Sequence, residues 1–313
     1  MLKKLKYAVG SLAIASLLVV PNLSLAKNLP HQYGSTAYQH VYYLTEKIGT
    51  RVTGSAQEKN AGAYTSSQLI KLGLKPSTQS FSFVSTDQTI SSQNIIATRT
   101  GKSKKQIIIG GHLDSVAAGK GADDNASSIG VILETLQRLK HQKTPYTLKF
   151  VFFGAEEKGL KGSQHYVSQM SEQEKQNTVA MINLDSLIAG DKMYVHGSKT
   201  IDPLRNFALK IAKQQHVKLE INPGKNPEYP AGTTGSWSDH ASFQKIGIPI
   251  LYFEATNWDI GELDGYTQTE KAGSIWHTTN DNLSYLQKEF PGRTQDHLAG
   301  FTKVLYKLIL SIR

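Results

Sequence analysis

The chain has no cysteine in its 313 residues. That absence excludes a disulfide-stapled scaffold, cysteine-built zinc modules, iron–sulfur clusters and a thiolate nucleophile. It also excludes a bacterial lipoprotein, whose acyl anchor needs a cysteine at the cleavage point. Acids are few beside bases, 25 against 35, giving a formal net charge of +10. Such a balance raises the question of an acidic partner. No Lys/Arg run interleaves with aromatics and no recognition motif appears, so nucleic-acid binding is not expected. Long apolar runs are missing beyond the N-terminus; none approaches the ~20 residues that cross a bilayer. What remains, 39% apolar and 19% charged residues, suits a folded globular chain rather than a disordered one.

The N-terminus has the pattern of an export signal. Lys3, Lys4 and Lys6 precede an apolar stretch over 7–20, and Ser24-Leu25-Ala26 places small residues at a signal-peptidase site. The expected division is a signal peptide over 1–26 and a single domain over 27–313. The mature protein is then secreted or periplasmic, free of the membrane, and a monomer is favoured. The competing reading of this segment is an anchor that stays attached.

Past that point the pattern alternates. Helices are expected over 37–48 and 55–72, joined at Gly54, with Ser55 and Glu58 spaced as a capping box and Gly73 closing the second. Short apolar runs over 106–110, 147–153, 179–184 and 248–253 read as buried strands. Ile129, Ile132, Leu133, Leu136 and Leu139 recur at helical spacing, as do Leu298, Phe301, Leu305, Leu308 and Ile312. A further helix is expected over 201–215. Strands alternating with helices imply an α/β domain, a largely parallel sheet covered on both faces. Residues 222–235 and 254–273 read as long loops of the kind that carry function.

In such a sheet, ligands bind beyond the carboxyl ends of the strands. There the sequence places His112 and Asp114, then Asp123 and Asp124, then Glu156 and Glu157, then Asp185, and late in the chain His277 with Asp281. Each alone has an ordinary explanation: a surface pair, a helix cap, a solvated loop, a turn. Their joint placement at successive strand ends points instead to a metal. Histidine nitrogen and carboxylate oxygen suit zinc, and five ligands suit two ions if one carboxylate bridges.

The motifs His112-Leu113-Asp114, Gly121-Ala122-Asp123-Asp124-Asn125-Ala126-Ser127, Gly154-Ala155-Glu156-Glu157, Asn183-Leu184-Asp185 and His277-Thr278 resemble the zinc-dependent aminopeptidases of the leucyl aminopeptidase/aminopeptidase Y family. Arg51-Val52-Thr53-Gly54-Ser55 is similar to that family's N-terminal helix junction. The resemblance implies a three-layer α/β/α zinc-exopeptidase fold (phosphorylase/hydrolase-like) with a central mixed, mostly parallel sheet. It implies two zinc ions: Asp124 bridging, His112 and Asp185 completing one site, Glu157 and His277 the other. It implies Glu156 as general base, Asp114 orienting His112, and a cis peptide between Asp124 and Asn125. The activity implied is hydrolysis at the N-termini of peptides and proteins.

Two departures from the family pattern stand out. Trp276 occupies the place before His277 where some members carry an oxyanion-stabilising tyrosine, which leaves Tyr229 and Tyr266 as candidates. The loop before Ser238 has no disulfide to order it. Glu254, Asp264 and Tyr266 fall in stretches that resemble a branch of the family removing N-terminal Arg, so a preference for Arg or Lys is expected, with those residues binding substrate. The alternatives are glutaminyl cyclisation on the same scaffold, or an exported binding protein without activity.

Overall fold

The computed structural model describes residues 32–313, so the expected signal segment lies outside the described residues. The first half of the chain contributes α1 (Ser35–Tyr42), α2 (Ala56–Lys71), β1 (Ser77–Ser85), β2 (Gln88–Arg99), β3 (Ser103–His112), α3 (Ser127–Arg138), β4 (Tyr146–Phe153) and α4 (Lys161–Ser168). There follow α5 (Glu172–Asn177), β5 (Thr178–Leu184), β6 (Lys192–Gly197), α6 (Pro203–Gln214), β7 (Leu219–Glu220), α7 (His240–Gln244), β8 (Ile250–Thr256), α8 (Leu283–Glu289) and α9 (Arg293–Ser311).

The strands form one mixed sheet in the order β1-β2-β4-β3-β5-β8-β6-β7. Its centre, β4-β3-β5-β8, is parallel. The β1–β2, β2–β4 and β6–β8 pairings on the flanks are antiparallel. The apolar runs explain the layering. Along β3, Ile107 and Ile109 join the cluster that holds Ile129, Ile132 and Leu136 of α3 and Phe301 and Leu305 of α9. Ile108 points the other way, with Val151, Phe153, Tyr166 of α4 and Phe243 of α7. Period-two alternation thus buries both faces of the strand. Each such fully buried side chain contributes about 1.5–3 kcal/mol. The three-layer α/β/α arrangement expected from the sequence is the one observed.

Several local features differ from the sequence reading. The expected first helix does not run straight through: α1 ends at Tyr42 and the chain continues as π-type turns over Tyr43–Ile48 before Gly49 stops it. The β1–β2 hairpin gives little signal in the sequence, because its strands are Ser-, Thr- and Gln-rich and β1, at the sheet edge, leaves most of its side chains exposed or half-buried. Its turn, Thr86 and Asp87, takes positive φ at both residues without a glycine. The apolar run at 248–253 extends as strand through Thr256, so Glu254 is a strand residue and not part of a loop.

The topology sets the site. β3 lies between β4 and β5, so the ends of three parallel strands meet on one edge. His112 closes β3 opposite Phe153 of β4. Glu156 follows β4 after a two-residue step, and Asp185 follows β5 directly.

Candidate active site

Two imidazoles face one carboxylate. His112 Nε2 lies 3.0 Å from Asp124 Oδ1 and 3.3 Å from Asp185 Oδ1. His277 Nε2 lies 3.2 Å from Asp124 Oδ2 and 3.1 Å from Glu157 Oε2. The two oxygens of Asp124 are therefore divided between two His–carboxylate groups. Glu156 Oε2 stands 3.9 Å from His112 Nε2. Donor atoms of His112, Glu156 and Asp185, and of His112, Asp124 and Glu157, gather closely enough to surround an ion. Among the described residues Glu157 Oε1 has no hydrogen-bond partner. A buried carboxylate oxygen left without a donor, in a set of His nitrogens and carboxylate oxygens, fits a zinc-type cation.

The electrostatics agree. Burial works against a charged His112, yet the carboxylates of Asp185 and Glu156 raise its pKa well above the usual value. Hydrogen bonds to Asp124 and Glu157 raise His277 to about 11. Burial raises Asp124 less than its hydrogen bonds to His112 and His277 lower it, and it sits well below the usual carboxylate range. Burial, with the Asp124 charge beside it, pushes Glu157 up to about 7. The cluster gathers more carboxylate than imidazole charge, which a bound cation would balance.

The supports come from far along the chain. His112 Nδ1 donates to the main-chain oxygen of Asp114 at 3.0 Å, with the Asp114 carboxylate at 3.5 Å. That carboxylate also accepts from the backbone N–H of Glu156 and Glu157 at 3.1 and 3.3 Å, and from Thr53 Oγ1 at 2.6 Å. Arg51, buried, donates to the carbonyls of Leu113, Lys120 and Gly121, each at 2.8 Å, and fastens the loop that delivers Asp124. The Asp124–Asn125 peptide is cis, as the resemblance implies. Asp281 accepts from the N–H groups of Asp123 at 2.7 Å and Asp124 at 3.2 Å.

Sequence reasoning missed three supports. Ser238 donates to Asp185 Oδ2 at 2.6 Å and accepts from Asn183 at 2.7 Å. Gln268 donates to Asp123 Oδ2 at 2.6 Å and accepts from the N–H groups of Ile275 and Trp276 at 2.8 Å each. It thereby ties the segment bearing His277 to the loop bearing Asp124. Glu58, which the spacing marks as a helix cap, reaches the loop before Glu156. Only the Asn183-Leu184-Asp185 string offered any signal for these contacts.

A cavity of about 230 Å³ opens over the cluster, walled by Tyr229, Trp237, Tyr252, Tyr266 and Trp276, with Asp264 at its side. Of the residues the sequence marked for substrate, Asp264 and Tyr266 line this cavity, and so does Tyr229. Tyr252, a strand residue with no motif around it, belongs to the same wall. Glu254 does not face the cavity. It is fully buried, and its Oε1 accepts from Trp258 Nε1 and pairs with His196 Nε2, both at 2.8 Å. Its expected role in direct substrate contact is corrected: strand β8 carries this acid inward, where the rings of Trp258 and His196 hold one of its oxygens. Asp259 is held by Lys225 at 2.6 Å and by Lys192.

Comparison with known proteins places the chain in a family. The sequence profile of peptidase family M28 matches residues 94–302. The chain is 32% identical to alkaline phosphatase isozyme conversion protein of Escherichia coli (strain K12), over 99% of this chain and 98% of that one. It is 31% identical to aminopeptidase YwaD of Bacillus subtilis (strain 168) over 78% of this chain, and spans 49% of that longer protein. A solved zinc aminopeptidase of Bacillus subtilis superposes with a TM-score of 0.72 at 19% identity, covering 90% of this chain and 96% of that one. A glutaminyl cyclase of Bacteroides thetaiotaomicron does so at 0.70 and 20%, covering 91% and 100%. Structural likeness at such identity speaks for the fold alone, whereas the profile and the near end-to-end sequence match speak for descent: the chain belongs to peptidase family M28.

Proposed function

We propose that the chain is an exported di-zinc aminopeptidase that releases the N-terminal residue of peptides and proteins, with a preference for Arg or Lys. The observation that carries the two-ion reading is the division of Asp124, one oxygen toward His112 and the other toward His277. His112, Asp124 and Asp185 would hold one ion, and Asp124, Glu157 and His277 the second. Bound zinc supplies Lewis acidity and acidifies a water molecule. Glu156 takes the proton of the attacking water and passes it to the departing amine. Burial, the largest influence, raises its pKa well above the usual value despite His112, which suits a base that must keep a proton and then release it. His277 is the half-exposed member of the cluster, so substrate enters on its side.

The Arg/Lys preference rests on the cavity. Tyr229, Trp237 and Tyr266 line it together with Asp264, a combination of aromatic rings and a carboxylate suited to a cationic side chain. Export rests on the N-terminal sequence; among the described residues, no helix is long and apolar enough to cross a membrane.

One assay tests the whole reading. The zinc-loaded protein is given Arg-, Lys- and Leu-p-nitroanilides and an N-terminal Gln peptide, with and without chelator. Chelator-sensitive release of nitroaniline, lost in Glu156→Gln, is expected. Asp264→Asn should lower kcat/KM for Arg relative to Leu. Cyclised Gln product without nitroaniline release would instead favour the glutaminyl cyclase reading, whose fold is shared. An unchanged Arg/Leu ratio in Asp264→Asn would remove the proposed specificity.

A further inference from the structure

From the contacts of helix α2 we infer that Glu58 is a positioning residue for the reaction, setting the backbone of Ala155 and through it the side chain of Glu156. This rests on the reading of Glu156 as the base. The spacing of Ser55 and Glu58 predicts a capping box, in which the glutamate would return to the N–H of Ser55. Half of that box forms: Ser55 Oγ accepts from the Glu58 N–H at 3.2 Å. The other half does not, because the Ser55 N–H is bound to the Val52 carbonyl at 2.9 Å. The Glu58 carboxylate is turned outward from its own helix instead. Oε2 accepts from the Gly54 N–H at 2.6 Å. Oε1 accepts from Ser92 Oγ on β2 at 2.6 Å and from the Ala155 N–H at 3.1 Å. The group is 2% exposed.

What it holds is the strained part of the site. Ala155 has φ 55, a left-handed conformation that is unfavourable for a non-glycine residue and persists only where neighbours over-determine it. Every N–H from Gly154 to Glu157 is taken by a side chain: Gly154 by Asn94 at 3.0 Å, Ala155 by Glu58, Glu156 and Glu157 by Asp114. Gly154 is pressed so close that a Cβ there would lie 2.3 Å from Ser92 Oγ and 2.9 Å from Glu58 Oε1. The backbone cannot shift one way without meeting Glu58, nor the other way without losing it. Asp114 fixes the residues after the strained one, and Glu58 fixes the strained residue itself. A helix with no residue in the cavity thereby acts on the direction in which Glu156 leaves the chain.

The test compares Glu58→Met, which keeps the volume and removes the acceptor, with Glu58→Gln, which can still offer its oxygen to Ala155. Ser55→Ala removes the helix cap and leaves Ala155 alone. Steady-state kinetics with the best p-nitroanilide and zinc content by atomic absorption are measured on each. Glu58→Met should lower kcat by about ten- to a hundredfold, the range for a slight misplacement of a reacting group, with KM and zinc content within about twofold. Glu58→Gln should recover most of that loss, and Ser55→Ala should lower the melting temperature with kcat nearly intact. A kcat within about threefold of wild type in folded Glu58→Met overturns the inference. So does a loss that tracks zinc content, or an equal loss in Ser55→Ala. If Glu58→Met does not fold, Ser92→Ala replaces it, removing one of the bonds that hold Oε1, and an unchanged kcat there overturns the inference in the same way. Glu156→Gln separates the two failures: if it stays active, the reading of the base is wrong; if it is dead while Glu58→Met is fully active, only this inference falls.

Discussion

Gln268→Ala tests how the two halves of the site are joined. Gln268 is fully buried and bonds to Asp123 Oδ2 and to the N–H groups of Ile275 and Trp276. Truncation leaves the Ile275 N–H and the Asp123 oxygen without these partners. At about 1–3 kcal/mol for each buried polar group so orphaned, the rigid cost is about 2–6 kcal/mol. The chain can avoid part of that cost by letting residues 269–277 move. His277 moves with them, since it follows Trp276 directly and already holds a positive φ of 57. Loss of such an outer support typically lowers metal affinity by about 10–100-fold. The expected outcome is therefore split. If two ions bind as proposed, zinc competition against a chromogenic chelator should show the one that Glu157 and His277 would hold weakened by about that factor, while the one that His112 and Asp185 would hold keeps its affinity. The urea midpoint should fall as well. Gln268→Ala with wild-type affinity for both ions and an unchanged midpoint would refute the claim that this side chain ties the two loops together.

Other perturbations give equally definite outcomes. Asp281→Ala orphans the N–H groups of Asp123 and Asp124, so a stability loss of about 2–6 kcal/mol by urea denaturation is expected, with zinc affinity falling too. Burial lowers the pKa of His240 and of His297 from 6.5 to about 4 in the folded protein. The unfolded chain takes up these protons first, so the stability they allow is complete above pH 6.5 and is lost as pH falls toward 4. His297→Phe should flatten the dependence of the urea midpoint on pH across that window; an unaltered slope would count against it. Gly162→Ala places a Cβ 2.1 Å from the Gly154 carbonyl, a backbone clash, and should destabilise by about 1–3 kcal/mol in thermal unfolding. Zinc added to chelator-treated protein should raise the melting temperature with concentration, as a ligand specific for the folded state must.

Several candidate ligands are legible because they stand next to a feature the sequence displays. His112 and Asp185 follow directly on apolar runs, and Asp124 precedes a helical stripe. The capping serine at Ser55 and the closing glycine at Gly73 are likewise local. Glu254 shows the opposite case. Its neighbours in sequence are acids and aromatics, which read as a substrate loop, but β8 continues through it and points it at Trp258 and His196. The β1–β2 hairpin escapes because strands rich in Ser, Thr and Gln carry little apolar periodicity.

The sequence by itself determined which residue types stand at the ends of the buried strands, and with them the metal chemistry they suit and the family. Periodicity also determined the layers, since alternating and helical apolar stripes leave few ways to bury both faces of a sheet. Tertiary structure alone decided which acid faces the cavity, which lies sealed against indole and imidazole, and which reaches across to hold the backbone beside the candidate base. Asp264, Glu254 and Glu58 carry the same charge, and nothing local separates them. Their roles follow from the direction in which each is held and from the donors brought to it, and those donors come from residues as distant as Ala155 is from Glu58.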